Sequence, residues 1–541
     1  MDIQFSLLDQ ALIRYRNSNR QERHATLPEL FVAFNADEVC DFPALRPHQR
    51  HPWHAFLVQL AAIALHAAER ETPYETANEW RAALLALTPG DSDGAAFSLI
   101  APDDRPAFMQ PPCERGATRA WKKRIKTPDA LDMLVTSRNH DLKAQRMVHA
   151  TAEDWIFALV SLQTQEGFLG AGNYGISRMN GGFASRPAFG VVPVGRWGKR
   201  WARDVQLLLG ARERIVEKVE LKEKGGVALV WLQPWDGAAS LSFSELDPFY
   251  IEVCRRVRIE AQGETLGAIG TGSKVTRIAA KERCGMTGDA WTPVNVAEGK
   301  ALSITAKGFD YKLASTLAFS GECATNIART VLDDDGTEGV FILAQGITRG
   351  QGKTEGYHER RIPITKTMRR LMSRQKSDEI AKAAEERIKV IGEVRKTLWG
   401  ALCALLGNGD QNVSDDTKSR AGNFARAFEQ GEDRRFFDDL GNEIEADDRV
   451  SEHDRWLLAL ADRAAEVLQQ AFVAGPRSAE RVYRARGAAL ARFRGGLRYE
   501  KAHPQLARVL KQRDEARKDT QSDAHPDAQS ESFEEVSNDS N

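Results

Sequence analysis

The sequence predicts an α+β fold in three parts: a large mixed α/β domain over residues 1–366, a four-helix bundle over residues 367–510 and a disordered acidic tail over residues 511–541. Short and long apolar runs alternate up to about residue 365, and apolar residues then recur at three- and four-residue spacing. Large apolar side chains almost disappear after residue 520. At 541 residues the chain is long enough to bury a core in more than one domain.

Both helices and strands are predicted in the N-terminal domain. Residues 53–68 and 154–163 carry enough apolar residues for buried helices. Residues 227–232, 301–305 and 339–345 are shorter apolar runs of the kind that forms strands. Because the two kinds of element alternate along the chain, the domain is predicted to be mixed α/β.

Four consecutive amphipathic helices are predicted in the C-terminal part. The first ends at Gly407, the second follows Ser414, the third is stopped by the Gly-Pro pair at 475–476, and the fourth runs from Ser478 towards Leu497. Consecutive helices joined by short linkers pack most economically as an antiparallel bundle. We therefore expect a four-helix bundle here.

The last stretch of the chain is predicted to be disordered. Residues 521–541 contain six acids, no Lys or Arg and almost no large apolar side chains. Such a segment cannot bury enough surface to offset the entropy that it would lose on ordering.

Composition limits the classes of function. The 75 Lys and Arg against 76 Asp and Glu give a net charge of −1, so any nucleic-acid binding must come from local patches. Six cysteines lie far apart without a C-x-x-C pair, which indicates a reducing cytoplasm and argues against a thiolate zinc site. The chain has no secretory signal and no uninterrupted apolar run near 18 residues, so we expect a cytoplasmic protein without membrane contact.

A glycine-rich basic loop at residues 346–363 follows the predicted strand 339–345. It contains Gly-Lys-Thr at 352–354, but a phosphate-binding P-loop needs a first glycine where this chain has Ile347. From Gly346 to Arg374 there are eight Lys or Arg and two acids, so the stretch favours an anionic partner. Two other interpretations of this loop stay open. The protein could be a nucleotide-dependent enzyme acting on nucleic acid, or the loop could be a solvated hairpin tip without a binding role.

A second segment, residues 167–203, has six Lys or Arg and no acid. Its glycines allow the backbone to approach a ligand closely. Several of its side chains are of the types that stack on bases or contact phosphates, namely Tyr174, Arg178, Asn180, Arg186, Trp197 and Trp201. A glycine-rich hairpin that packs its own aromatic residues is the alternative.

Signs of catalysis are weak. His48, His51 and His54 lie at three-residue spacing, which suits a metal site, but Pro52 interrupts the helix and packing at a helix start explains them better. The acidic runs at 103–104, 333–335 and 415–416 could supply metal-binding carboxylates, but turns and the first turns of helices explain them well. We predict no enzyme activity, no cofactor and no bound metal.

Seven stretches taken together resemble a known family. They occur in this order: "LPELFVAF", "LRPHQRHPWHAFLVQLAAIAL", "FMQP", "TSRNHDLK", "SRMNGGFASRP", "GSKVTRIAAKE" and "GQGKTEGYHERRIP". In this order, and followed by a helical bundle, they resemble the large subunit CasA of the type I-E CRISPR surveillance complex Cascade. The resemblance spans roughly residues 5 to 500.

The resemblance implies a non-catalytic subunit that recognises the protospacer-adjacent motif in double-stranded DNA and wedges the duplex open to start R-loop formation. It implies three groups of contact residues: Gly170, Gly172, Asn173, Tyr174 and Lys281 for the DNA motif; Gln351, with Arg349 and Lys353 beside it, for the wedge; and Arg138, Asn139 and His140 for guide RNA or a neighbouring subunit. The implied partners are the other Cascade subunits, guide RNA, target DNA and a helicase-nuclease. An assembly scaffold that contacts only RNA and protein is a third possibility.

Overall fold

The computed structural model divides into two compact units, Met1–Asp378 and Glu379–Asn541. The residues that it describes are 3–132, 134, 147, 149–182, 184–263, 265–324, 326–332, 335, 339–350, 353–410, 412–476 and 478–523. The N-terminal unit mixes helices and strands, and the described part of the C-terminal unit is helical, which confirms the predicted α+β class. Among the described residues, no helix combines the length and the apolar character that a membrane crossing requires.

The helices of the N-terminal unit are α1 (Leu27–Asn35), α2 (Arg50–Ala67), α3 (Ala77–Ala86), α4 (Ala152–Gln165), α5 (Trp197–Val219), α6 (Tyr311–Phe319) and α7 (Lys366–Ser373). Local sequence sets where they begin. Thr26 caps α1, because its hydroxyl accepts from the Glu29 amide at 3.2 Å while the Glu29 carboxylate accepts from the Thr26 amide at 2.7 Å. The predicted helices at 53–68 and 154–163 are confirmed as α2 and α4.

Helix α2 is the centre of the N-terminal core. It is buried without interruption from His51 to Leu65, as expected for a helix that is apolar on all sides, and it packs against α4, α5 and the strand Leu246–Ile251. Trp53 and Trp201 lie in the aromatic cluster around it, with Trp201 stacked on Phe34 at 5.4 Å between ring centroids.

The strands are β1 (Gln4–Ser6), β2 (Ile13–Arg16), β3 (Glu22–Ala25), β4 (Ser98–Ile100), β5 (Lys123–Ile125), β6 (Ala188–Pro193), β7 (Val227–Leu229), β8 (Leu241–Ser242), β9 (Leu246–Ile251), β10 (Arg256–Gln262), β11 (Thr265–Thr271), β12 (Ile278–Ala279), β13 (Val294–Asn295), β14 (Lys300–Ala301), β15 (Cys323–Ala324), β16 (Val340–Gly350) and β17 (Lys353–Ile364). The predicted strand at 339–345 is confirmed as the first half of β16. The strand predicted at 301–305 is wrong beyond Ala301, and 227–232 forms a strand only to Leu229, after which a 3₁₀ turn begins.

Two three-stranded antiparallel sheets position the candidate site. The first has the order β17-β16-β6, and β6 pairs with β16 from Val340 to Gln345, so the hairpin of β16 and β17 continues beyond it. The register of this hairpin shifts between Thr348 and Arg349, which marks a β-bulge. The second sheet has the order β10-β11-β5, and β11 leads directly into Gly272 and Lys274.

The described helices of the C-terminal unit are α8 (Ser377–Leu406), α9 (Asp415–Glu445), α10 (Arg449–Gln470), α11 (Ala479–Leu497) and α12 (Pro504–Asp523). As predicted, α8 ends just before Gly407, α9 follows Ser414, α10 ends before the Gly-Pro pair at 475–476, and α11 runs from Ala479 to Leu497. Helix α12 corrects the prediction that disorder begins at 511, because the helix continues past that position to Asp523. Its first turns are held by the buried Leu506, Val509 and Leu510. Residues 524–541 lie outside the described residues.

The division between the units falls after the predicted boundary at 366. Helix α7 belongs to the N-terminal unit because Met368 is fully buried and Arg369 donates from Nη1 to the carbonyl oxygen of Asp335 at 2.5 Å. The sequence placed α7 in the bundle because its apolar spacing is helical, although its contacts are with the α/β unit.

Candidate nucleic-acid interface

The glycine-rich loop after α4 contains a tight turn at Gly170–Asn173. The Asn173 amide donates to the carbonyl oxygen of Gly170 at 2.9 Å, and the Leu169 amide donates to that of Asn173 at 2.9 Å. Gly170 has φ +108° and Gly172 has φ +83°, so both occupy backbone conformations that glycine adopts readily. This is the turn that the resemblance assigns to the DNA motif, and we call it the glycine turn.

The glycine turn lies against the backbone that follows β11. The Ser273 amide donates to the carbonyl oxygen of Gly172 at 3.0 Å, and a Cβ on Gly172 would lie 3.4 Å from Gly272 Cα. Lys274 comes next and is exposed. Sequence reasoning missed Lys274, although it is part of the quoted stretch "GSKVTRIAAKE".

A buried ion pair holds the base of the glycine turn. Arg255 donates from Nη2 to Glu166 Oε2 at 3.0 Å and to the carbonyl oxygen of Gly167 at 2.7 Å, and from Nη1 to the carbonyl oxygen of Tyr174. Burial raises the pKa of Glu166, while Arg255, Arg349 and Lys123 act in the opposite direction. The backbone on both sides of the turn is therefore fixed by one guanidinium.

Arg349, on β16 of the hairpin, interacts electrostatically with the same buried ion pair. Burial lowers the pKa of Arg349, attraction to Glu166 opposes that shift and repulsion from Arg255 adds to it. Its Nη1 is buried and forms no hydrogen bond with any residue that the structure describes. Arg349, predicted to flank the wedge, thus lies near the base of the glycine turn. Gln351 lies outside the described residues, as do the contacts of the Lys353 side chain.

Further cations surround the glycine turn. Lys123 is exposed on β5, opposite Gly270 in the register, and Arg256 donates from Nη1 to the carbonyl oxygen of Gly272 at 3.2 Å. Lys123, Arg256, Lys274 and Arg349 thus lie on the segments beside the turn. The carboxylates there are Glu166, which is buried and paired, and Asp236, which is exposed and attracts Arg256. This arrangement gives the surface a locally positive potential although the whole chain is nearly neutral.

Lys281 is exposed in a short 3₁₀ turn. Unlike Lys274, it does not follow the backbone that is hydrogen-bonded to the glycine turn. The following turn packs on the far end of the glycine-rich segment, since a Cβ on Gly285 would lie 2.8 Å from the carbonyl carbon of Met179. Asn180 in turn donates to the carbonyl oxygen of Ala301 at 2.7 Å. The structure therefore connects Lys281 with residues 179–180 and Lys274 with Gly172.

Three of the side chains predicted to contact nucleic acid are buried instead. Arg178 donates to Glu252 at 2.8 Å, Arg186 donates from Nη2 to Asp289 at 2.8 Å, and Trp201 is fully buried in the core. The sequence shows how many arginines a segment has, but their carboxylate partners lie more than seventy positions away in the chain. Only the fold reveals these pairs.

The three histidines at 48, 51 and 54 do not converge. His48 Nε2 hydrogen-bonds Asp132 at 2.7 Å and His54 Nε2 hydrogen-bonds Asp204 at 2.8 Å, so the two rings bind separate carboxylates. No group of His, Cys, Asp or Glu with the geometry of a metal site occurs among the described residues. Arg138, Asn139 and His140, predicted to contact guide RNA or a neighbouring subunit, lie outside the described residues.

The fold is similar to that of solved CRISPR proteins. Cse1 from Acidimicrobium ferrooxidans is 16% identical, with 95% of this chain and 99% of that chain covered at a TM-score of 0.63. Cse1 from Thermobifida fusca is 14% identical over 93% and 98% of the two chains at 0.62, and CasA (Cse1) from Thermus thermophilus is 14% identical over 92% and 99% at 0.60.

No family model and no curated protein sequence matches the chain. At the identities found among solved structures, similarity establishes the fold. The chain therefore has the fold of the CasA (Cse1) proteins over almost its whole length.

Proposed function

We propose that this chain is the large, non-catalytic subunit of a type I-E guide-RNA surveillance complex and that it recognises a short protospacer-adjacent motif in double-stranded DNA. The observation that carries the proposal is the glycine turn that Arg255 holds at Gly167 and Tyr174, with Arg349 of the hairpin in electrostatic interaction with the same Glu166–Arg255 pair. This arrangement puts a glycine backbone that a DNA groove can approach next to a basic hairpin. The resemblance of the seven sequence stretches supports the same assignment.

Motif recognition is assigned to the glycine turn and a lysine that approach the minor groove. The minor groove presents acceptors that barely distinguish A·T from T·A, so a backbone turn with one ammonium group makes a permissive reader. Lys281 is the lysine that the resemblance implies. Lys274 is the competing candidate, because its neighbour Ser273 is hydrogen-bonded to Gly172.

Strand separation is assigned to the end of the β16–β17 hairpin, with Gln351 as the wedge and Arg349 and Lys353 beside it. Unstacking a base step costs a few kcal/mol, so phosphate contacts from neighbouring cations must offset it. Pairing with the guide then supplies sequence specificity. In this scheme the protein needs to recognise only the short motif.

The remaining contacts follow from the same assignment. Arg138, Asn139 and His140 contact guide RNA or a neighbouring subunit, the helical unit contacts other subunits and the displaced strand, and the assembled surface recruits a helicase-nuclease. Binding and recruitment of this kind require no catalytic residue in this chain.

The test uses the complex assembled from this chain, its companion subunits and a guide RNA. Target duplexes with a randomised adjacent sequence are selected for binding, and opening is followed with a fluorescent base analogue. We expect Lys281→Ala or Lys274→Ala to lose motif-dependent binding by at least about tenfold, the scale of one good groove contact. Gln351→Ala should slow opening while binding to the motif persists.

Lys224→Ala is the matched control, because Lys224 is exposed on another part of the same unit. Normal motif selection by both lysine variants would contradict the assignment of the reader. Normal opening by Gln351→Ala would contradict the assignment of the wedge.

A further inference from the structure

A cavity of about 400 Å³ lies in the N-terminal unit, at the start of α5. Its walls come from the turn at 40–45, the first residue of α2, the end of β6 and facing residues of β16 and β17. This is a common size for a small-molecule site. None of its lining residues belongs to the glycine turn or to the residues assigned above to DNA.

Arginines dominate the polar lining of this cavity. Arg50, Arg196, Arg200 and Arg361 line it, together with the acids Asp41 and Glu359. Both acids are already engaged, because Asp41 accepts from Arg16 at 3.3 Å and Glu359 accepts from the Tyr357 hydroxyl at 2.7 Å. Within the lining, Glu359 also accepts from Gln345 and lies 3.6 Å from Arg361 Nε, and Arg196 pairs with Asp37 outside it. Arg50 and Arg200 therefore carry the excess positive charge of the cavity.

One of these two arginines has an unsatisfied donor. The Nε of Arg200 is buried and has no hydrogen-bond partner among the described residues, and Arg50 is half-buried at the start of α2. Burial lowers the pKa of Arg200 although Asp204 opposes the shift, so the guanidinium is poorly solvated. An anion in the cavity would provide charge-assisted hydrogen bonds to both side chains.

The cavity also presents one unsatisfied acceptor. Gln345 Nε2 donates to the Tyr357 hydroxyl at 2.8 Å and to Glu359 at 3.1 Å, which fixes the orientation of the amide. Its Oε1 is buried and has no donor among the described residues. A ligand that combines an anionic group with an N–H or O–H donor would satisfy both the arginines and this acceptor.

Aromatic side chains complete the lining. Phe341, Trp197 and Phe42 line the cavity, and Phe42 packs edge-on against Trp197 at 5.0 Å between ring centroids. Phe42 is almost fully buried, and the Arg361 guanidinium lies over the Phe341 ring at 5.3 Å from its centroid. Aromatic rings and guanidinium planes are the groups on which proteins stack a nucleobase.

From these features we infer that the cavity binds a nucleotide. Its phosphate would lie on Arg50 and Arg200, an N–H or O–H group would donate to Gln345 Oε1, and the base would lie against the aromatic side chains. The nucleotide can be free or part of an RNA strand, since both present the same groups. This inference is independent of the proposed role in DNA recognition.

The experiment measures binding to the purified full-length chain by isothermal titration calorimetry at low salt. The probes are AMP, inorganic phosphate and an eight-nucleotide RNA. The variants are Arg200→Gln and Arg50→Gln, with Arg214→Gln as the matched control because Arg214 is exposed on the same helix, α5. We expect AMP to bind more tightly than phosphate, and both test variants to lose at least about tenfold in AMP affinity, the scale of a lost charge-assisted hydrogen bond. The control should change by less than about twofold.

The RNA arm distinguishes the two sources of the nucleotide. RNA binding weakened by the same two variants assigns the cavity to a strand, and RNA binding that they leave unchanged assigns it to a free nucleotide. Gln345→Leu adds a further readout, because it removes Oε1 and should weaken AMP while sparing inorganic phosphate. No AMP binding at millimolar concentration, equal binding of AMP and phosphate, or equal loss in the Arg214 control would overturn the inference.

Discussion

At the scale of single residues, the glycine turn depends on the backbone of Gly172. We expect Gly172→Ala to weaken motif-dependent DNA binding by roughly tenfold, because the left-handed conformation costs an alanine about 1–2 kcal/mol. The added methyl group would also touch Gly272 Cα at 3.4 Å. The measurement is the binding of motif-bearing and motif-free duplexes by the assembled complex.

Gly210→Ala is the control for the added methyl group. Gly210 lies within α5, and a Cβ there would meet no atom within 4 Å. Alanine should leave DNA binding unchanged and raise stability by up to about 1 kcal/mol, as it does in a helix interior. Equal DNA binding by both glycine variants would contradict a role for the turn in recognition.

The residue scale also sets the limit of sequence reasoning about the site. The resemblance implies the glycine turn and Arg349, and in the structure both interact with the same ion pair. The composition of residues 167–203 also indicates Arg178 and Arg186, but buried carboxylates bind them. Composition cannot separate these cases, because pairing depends on residues far away in the chain.

At the scale of secondary structure elements, long periodic helices were predictable and short strands were not. The apolar period of α8 or α10 extends over several turns, and caps mark the ends. By contrast, β14 has two residues, and only its tertiary pairing with β13 defines it. The sequence also did not predict that β16 continues beyond Gln345, because the glycines and polar residues at 346–350 are typical of a loop.

Contacts between α9, α10 and α12 should make the stability of the helical unit depend on pH. His453 Nδ1 hydrogen-bonds Glu443 at 3.1 Å, and its Nε2 hydrogen-bonds Gln505 at 3.1 Å. Burial opposes the imidazolium, but Glu443 outweighs it and raises the pKa of His453. Burial also opposes the carboxylate, yet His453 and Arg387 lower the pKa of Glu443.

A raised histidine pKa stabilises the fold below the unfolded value of about 6.5, and this contribution is lost as pH rises through the folded value. A lowered carboxyl pKa stabilises the fold above about 4.5 and is lost at lower pH. We therefore expect the contribution of this pair to be greatest between these values. His453→Gln should remove roughly 1.5–3 kcal/mol at pH 6, the range for hydrogen bonds to charged groups.

Urea unfolding between pH 5 and 8 measures this effect. The difference between the natural protein and His453→Gln should shrink as pH rises to 8. His24→Gln is the control, because His24 is exposed on β3. A difference that stays constant across this range would contradict the charged pair.

At the scale of the whole molecule, sequence reasoning identified the two kinds of architecture but misplaced the limits between them. Helix α7 has helical spacing like the bundle, so the sequence assigned it there, whereas its contacts place it in the N-terminal unit. Helix α12 was missed because its polar composition resembles that of the tail. Its few apolar residues are buried, and local composition does not reveal this.

Two truncations test how much α12 contributes to the stability of the helical unit. Removal of residues 504–541 exposes the sites that Leu506, Val509 and Leu510 cover, and burial of each such side chain contributes about 1.5–3 kcal/mol. We therefore expect a loss of at least about 4 kcal/mol in the free energy of unfolding, measured by urea titration with circular dichroism. Residues 524–541 carry almost no large apolar side chains, so their removal should change the free energy of unfolding by less than about 0.5 kcal/mol. The ion pairs of α12 with α10, such as Arg508 with Asp454, are partly exposed and contribute little, so the expected loss comes from the buried apolar side chains. Equal stability of both truncated forms would therefore mean that α12 adds nothing to the stability of the helical unit.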